Sequence, residues 1–133
     1  MRYRYIAYKY SGRLRPDTAY HSVWESFGSC TLDSTIVWRP PTDIYETPDE
    51  IIVVIELAGV AEDDLIVTLF SDLLVVEGTR TPPVTEMSAC HQLGIKYGQF
   101  RSEIDNIHPG IDHDNVQAVL KNGLLKITLR MLD

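Results

Sequence analysis

The amino-acid sequence predicts an all-β domain, an antiparallel sandwich or barrel of seven or eight short strands. From residue 42 onward, short stretches rich in valine, isoleucine and leucine alternate with turn residues at regular intervals. The pair Asn122-Gly123 lies between the last two stretches, and Asn-Gly is the strongest short hairpin signal because both residues tolerate a positive φ. Almost no segment in this part of the chain has the pattern of a helix.

Each predicted strand has its own local reason. The stretch 51–57 has the isoleucine and valine content of a largely buried strand. The stretch 65–70 is followed by the tight connection Ser71-Asp72 and by 73–77, which predicts a hairpin. The strand pattern is carried by residues 43–46, 51–57, 65–70, 73–77, 99–105, 116–121 and 124–129.

The segment 78–98 is the least regular part of this body. It holds Pro82, Pro83 and Gly94, which interrupt regular structure. Its middle, residues 87–95, is predicted as one further short strand.

Length, composition and charge exclude several classes of protein. A chain of 133 residues with 44% hydrophobic and 23% charged residues suits one domain plus a tail. The net charge of −7 argues against a nucleic-acid binder, which would show a basic face. No apolar run approaches the ~18 residues of a membrane span, and the N-terminus lacks the apolar core of a signal peptide. The expected location is therefore the cytoplasm.

Two cysteines, Cys30 and Cys90, lie in different regions of the chain. A disulfide framework needs a smaller chain that is denser in cysteine. Reduced thiols in a cytoplasmic protein are the simpler interpretation.

The first 38 residues form a separate N-terminal arm, which we expect to be flexible or partly helical. Most of the aromatic residues lie here, and the arm begins with basic residues and no acid before Asp17. Such an arm is a candidate for contact with other molecules, and folding back onto the sandwich is the alternative. The paired prolines Pro40 and Pro41 mark the boundary, so the domain is assigned to residues 39–133.

Four blocks of residues carry a resemblance to a known family. They are residues 38–60, which open with Trp-x-Pro, residues 73–80, which end in Gly-x-Arg, residues 97–100, and residues 118–127. Their order and spacing resemble the α-crystallin domain of bacterial-type small heat-shock proteins over residues 38–130. The resemblance implies an immunoglobulin-like antiparallel β-sandwich. The family signature Ala-x-x-x-Asn-Gly-x-Leu falls on Ala118, Asn122, Gly123 and Leu125.

The resemblance also implies a function, that of an ATP-independent chaperone that holds unfolding proteins and prevents their aggregation under stress. Such a holdase needs no catalytic residue, no metal and no cofactor. Aromatic side chains of the arm would contact the client, because tyrosine and tryptophan offer large apolar area with a polar tip; the candidates are Tyr8, Tyr10, Tyr20, Trp24 and Phe27. A groove between edge strands would bind apolar peptide segments; the candidates are Val67, Leu69, Leu125 and Ile127, with packing in the core as the alternative for each.

In bacterial and plant members, a loop as long as 78–98 carries a strand that pairs with the partner subunit. The resemblance thus implies a homodimer by strand exchange; the candidate exchange residues are Met87, His91, Leu93 and Ile95. Ser102 stands where the family has an arginine that supports the dimer contact. The last residues, 130–133, hold no Ile-x-Ile motif. This favours dimers, arm-held assemblies or mixed oligomers over large cages.

Other functions stay open on the sequence. The sandwich could serve as a co-chaperone or adaptor for a folded partner, or as a tail-less modulating subunit of a longer family member. A metal enzyme would need a convergent polar site. The densest set of possible ligands is His108, Asp112, His113 and Asp114, whose spacing matches no known ligand motif, so a solvated acidic loop is the favoured interpretation.

Overall fold

The computed structural model describes residues 37–105, 107 and 110–133, together with the backbone of residues 2–5. In these residues the chain forms eight strands, arranged as two four-stranded sheets. The strands are β1 Arg2–Tyr5, β2 Thr42–Glu46, β3 Glu50–Glu56, β4 Leu65–Leu69, β5 Leu73–Arg80, β6 Gly98–Asp105, β7 Ile111–Lys121 and β8 Leu124–Met131.

The first sheet has the strand order β1-β4-β5-β6. Its β4–β5 hairpin turns at residues 70–72, where the backbone N–H of Phe70 donates to the carbonyl of Leu73 at 2.7 Å. β1 adds to the outer edge of β4 in parallel, with Arg2 opposite Ile66. This parallel strand was not predicted from the sequence.

The second sheet has the order β2-β3-β8-β7, and all its pairings are antiparallel. The β7–β8 hairpin turns at Asn122 and Gly123, whose φ angles are 53° and 76°. Two successive residues with positive φ are what a two-residue hairpin loop with the twist of the strands requires. A Cβ on Gly123 would lie 3.0 Å from the Cα of Ala58, so glycine also permits the turn to pack against the end of β3.

The core lies between the two sheets. β3 alternates buried and half-buried residues, as expected of a strand with one face on the core. Trp38 is 2% exposed and packs on Phe100 with ring centroids 5.5 Å apart, and its backbone pairs with β6. The sandwich therefore takes in Trp38, one residue before the boundary that the sequence suggested.

The predicted fold class is confirmed, and so are both predicted hairpins. Two strands extend well beyond their predicted bounds, since β5 continues to Arg80 and β7 begins at Ile111, with an irregularity before Val116. The strand predicted at 87–95 is not found. Residues 81–97, hereafter the β5–β6 connection, contain no strand. A strand needs a hydrogen-bonded neighbour, and the connection pairs with no strand among the described residues. Within the described residues, no helix is long and apolar enough to cross a membrane.

Candidate functional site

β2 is an edge strand of the second sheet and is exposed on both faces. Ile44 and Tyr45 point to opposite faces, and each is 53% exposed. One side of β2 pairs with β3, so its other side presents backbone groups to which a further strand could pair. The hydroxyl of Tyr45 donates to Oδ2 of Asp43 at 3.1 Å. That hydrogen bond, together with the charge of the carboxylate, raises the pKa of Tyr45 above its ordinary value.

The β5–β6 connection is apolar and exposed. Val84, Met87, Leu93 and Ile95 are 45 to 60% exposed, and His91 is exposed beside them. Large apolar side chains gathered on one exposed segment are typical of an interaction surface. All four predicted exchange residues, Met87, His91, Leu93 and Ile95, thus lie where a second molecule can reach them.

The four groove candidates lie in the core. Val67 and Leu69 on β4, and Leu125 and Ile127 on β8, are all 0% exposed. β8 lies between β3 and β7, so it is not an edge strand. These four residues therefore belong to the core, which was the alternative to a role in a groove. The sequence pattern could not distinguish the two roles, because a groove residue and a core residue are equally apolar.

The other predicted residues divide into two groups. Asn122, Gly123 and Leu125 of the family signature have a structural role, since Gly123 accepts a 2.7 Å hydrogen bond from the N–H of Leu57 and so ties the turn to the end of β3. Ala118 packs against the core from β7.

The client-binding candidates of the arm lie outside the described residues, and their role stays a prediction; they are Tyr8, Tyr10, Tyr20, Trp24 and Phe27.

A cavity of about 830 Å³ opens beside the start of β2 and the two ends of the β5–β6 connection. Its lining includes aromatic and cationic residues, among them Trp38, Tyr97 and Arg80. Arg80 is only 7% exposed. Arg80 ends the Gly-x-Arg block of the sequence, and this cavity was not predicted from it. The residues that line the cavity come from four separate segments, so no continuous sequence pattern marks it. The arginine of the Gly-x-Arg block is the one local signal that could have indicated the cavity.

Ser102 adopts a local role in place of the family's arginine. It is 0% exposed, and its hydroxyl lies 3.2 Å from the hydroxyl of Thr42 at the start of β2. The neighbouring Arg101 forms an ion pair with Glu103 at 2.8 Å. A charged side chain at position 102 would point into the core at this position, so the serine suits the packing found here.

Cys90 is disulfide-bonded, contrary to the expectation of a reduced thiol. Its Sγ lies 3.1 Å from Sδ of Met87 in the β5–β6 connection. The chain's other cysteine, Cys30, lies outside the described residues. The expectation was wrong because cysteine count and spacing do not tell which segments the fold brings together.

Three of the suspected metal ligands, Asp112, His113 and Asp114, lie at the start of β7, and not in the solvated loop that was expected. The backbone N–H of Asp114 donates to Oδ1 of Asp112 at 3.0 Å. His108 lies outside the described residues. In the part of the chain that the structure describes, no three histidine, cysteine or acidic side chains gather at a spacing suited to a metal ion.

Comparisons with known proteins agree with this geometry. The chain belongs to the Hsp20/alpha crystallin family, whose family model matches residues 43–132. It is 37% identical over 91 residues to Spore protein SP21 of Stigmatella aurantiaca, covering 68% of this chain and 53% of that protein. It is also 30% identical over 97 residues to the Probable 15 kDa heat shock protein of Leptospira interrogans, covering 70% of each chain. The chain thus spans little more than half the length of one of these relatives.

Solved structures show the same fold. Heat shock protein 16.0 from Schizosaccharomyces pombe superposes with a TM-score of 0.64 at 28% identity, covering 71% of this chain and 88% of that one. A small heat-shock protein from Xylella fastidiosa superposes with a TM-score of 0.66 at 23% identity, covering 72% and 88%. The predicted family resemblance is therefore confirmed, and membership of this family supports a chaperone role in general.

Proposed function

We propose that this protein is an ATP-independent holdase of the cytoplasm, which binds unfolding proteins through apolar surface and keeps them from aggregating. The observation that carries the proposal is the exposed apolar surface of the β5–β6 connection and of Ile44 and Tyr45 on β2. An unfolded client exposes similar apolar segments, and covering them removes apolar area from water on both molecules. Binding the unfolded state in this way needs no chemical step.

The two exposed regions also support a homodimer. Among the described residues, β2 pairs on one side only, and the long apolar β5–β6 connection pairs with no strand. We propose that the connection of one subunit pairs with β2 of the other. Pairing would satisfy the edge of β2 with main-chain hydrogen bonds and would cover apolar side chains of both segments.

The acidic body suits a holdase that carries aggregation-prone chains. A net charge of −7 gives the loaded complex a charge that opposes association with other complexes. We further propose that the aromatic arm adds client contacts through Tyr8, Tyr10, Tyr20, Trp24 and Phe27.

The decisive experiment is light scattering of a heat-denaturing model enzyme without ATP, with and without this protein, alongside the protein's mass in solution. We expect suppressed scattering at near-stoichiometric ratios and a mass of at least two chains. Unchanged scattering from a folded dimer would overturn the holdase proposal and favour an adaptor or a modulating subunit. A protein that stays a monomer at high concentration would overturn the proposed strand exchange.

A further inference from the structure

Arg80 is a buried cation that forms no ion pair with any described residue. Its Nε donates to the carbonyl of Lys96 at 2.8 Å, and its Nη1 donates to the carbonyl of Ala58 at 3.2 Å. Its guanidinium lies 4.4 Å from the ring centroid of Trp38 and 5.7 Å from that of Tyr97. No carboxylate of the described residues forms an ion pair with it. Carbonyls and ring faces hold the guanidinium in place, but they do not neutralise its charge, and buried charges in proteins are usually paired.

The cavity that Arg80 lines has a net positive lining. Arg39 and Lys96 also line it, and Glu56 is the one acidic residue among the described residues of its lining. The Oε1 atom of Glu56 already accepts a 3.1 Å hydrogen bond from the backbone N–H of Ala58. Three cations and one acid around an open cavity therefore favour an incoming carboxylate.

The β5–β6 connection carries such a carboxylate. Glu86 is the single acidic residue among residues 81–97. It is exposed and forms no ion pair with any described residue of its own chain. Its neighbours Val84 and Met87 are 59% and 45% exposed. The segment therefore offers a carboxylate between apolar side chains, which complements a cationic cavity with aromatic walls.

We propose that the partner subunit's Glu86 enters the cavity and forms an ion pair with Arg80. This inference rests on the proposed strand exchange, and it names the residues that fix the exchanged segment in place. Thr42, the first residue of β2, lines the cavity, so a segment paired along β2 passes its mouth. In a twofold dimer the contact occurs twice. It gives this chain a charged dimer contact although Ser102 replaces the arginine expected in the family.

The first test compares Glu86→Gln with the matched control Glu62→Gln, an exposed acid on the turn before β4. Sedimentation of the full chain would give the dimer dissociation constant. We expect Glu86→Gln to weaken the dimer by about tenfold or more, because each twofold dimer loses two partly buried ion pairs. The control should leave the dissociation constant unchanged. Added salt should weaken the wild-type dimer more than the Glu86→Gln dimer.

The second test reverses both charges on separate chains. A chain with Glu86→Arg places two arginines together in its own homodimer, and a chain with Arg80→Glu places two glutamates together. In a mixture, each heterodimer restores both ion pairs. We therefore expect native mass spectrometry to detect mainly heterodimers in the mixture and mainly monomers in each separate sample, with circular dichroism checking that each chain folds.

The outcomes separate this inference from the proposed dimer. A wild-type dimer whose dissociation constant Glu86→Gln leaves unchanged would overturn the ion pair and leave the strand exchange standing. A wild-type chain that never dimerises would overturn both. If Arg80→Glu does not fold, Glu86→Arg alone tests the ion pair. The proposed ion pair requires that Glu86→Arg weaken the dimer more than Glu86→Gln does.

Discussion

The two connections that leave β5 differ in almost every respect. The connection to β4 is three residues long, residues 70–72, and is closed by the hydrogen bond from Phe70 to Leu73. The connection to β6, residues 81–97, has no strand and exposes large apolar side chains. The two strands that the short connection joins send most of their apolar residues into the core, as β4 does with Leu65, Val67 and Leu69.

The difference shows that similar residue types serve two purposes in one chain. An apolar residue on β4 or β5 is removed from water by the facing sheet, so it stabilises the fold. The same type of residue in the β5–β6 connection stays in water until a second molecule covers it. Stability and interaction are therefore separable here, and substitutions in the two regions should affect different measurements.

The largest expected loss of stability is in the sandwich and follows a substitution of Gly78 on β5. A Cβ at this position would overlap the carbonyl oxygen of Asp64 and would lie 2.8 Å from Cζ of Phe100. Backbone has to move to admit it, so we expect Gly78→Ala to lower the free energy of unfolding by about 3 kcal/mol or more. Urea denaturation would measure the change. The control Val84→Ala, in the exposed connection, should leave the unfolding free energy of the single chain within about 0.5 kcal/mol of the wild type.

A pair of identical substitutions tests the comparison directly. Leu69 on β4 is 0% exposed, whereas Leu93 in the β5–β6 connection is 47% exposed. We expect Leu69→Ala to lower the free energy of unfolding by about 2–5 kcal/mol, because it leaves a cavity in the core. Leu93→Ala should change the unfolding free energy of the single chain by about 0.5 kcal/mol or less.

The effects of this pair on binding should be reversed. Leu93→Ala should weaken dimerisation and the suppression of scattering, while a folded Leu69→Ala chain, kept well below its melting temperature, should retain both. A Leu93→Ala protein with unchanged dimerisation and unchanged client protection would show that the exposed connection is not the interaction surface.

The sequence predicted the sandwich well because the strand signals are local. Asn122-Gly123 sets its hairpin through the φ preferences of two adjacent residues, and the predicted turn is the one found. The isoleucine and valine content of 51–57 is likewise a local signal, and it predicted the strand β3; Ile51, Val53 and Ile55 are buried there, while the residues between them are half-buried.

The candidate site was less predictable because it depends on distant residues. Arg80 contacts Ala58, Trp38 and Lys96, which lie far apart in sequence. No local sequence pattern predicts that these residues come together. Val67 and Leu69 were proposed for a groove, yet their burial depends on a sheet packed above them. The strand predicted at 87–95 needs a pairing partner, and one chain alone does not supply it.

The smallest expected effect is a shift in the titration of Tyr45 at the edge of β2. The hydrogen bond to the Asp43 carboxylate, and the charge of that carboxylate, hold the pKa of Tyr45 above its ordinary value of 10.0. A raised pKa means that the neutral phenol is favoured in the folded state, so this contribution to stability is present below pH 10 and is lost as the pH rises through the raised value. Asp43→Asn should lower the Tyr45 pKa toward its ordinary value, measured as the difference in ultraviolet titration between each protein and its Tyr45→Phe counterpart.

If the connection of a partner covers β2, burial should raise the pKa of Tyr45 further as protein concentration increases. A pKa independent of concentration across the range in which the dimer forms would show that Tyr45 stays exposed in the dimer, and the exchanged segment would then have to lie elsewhere.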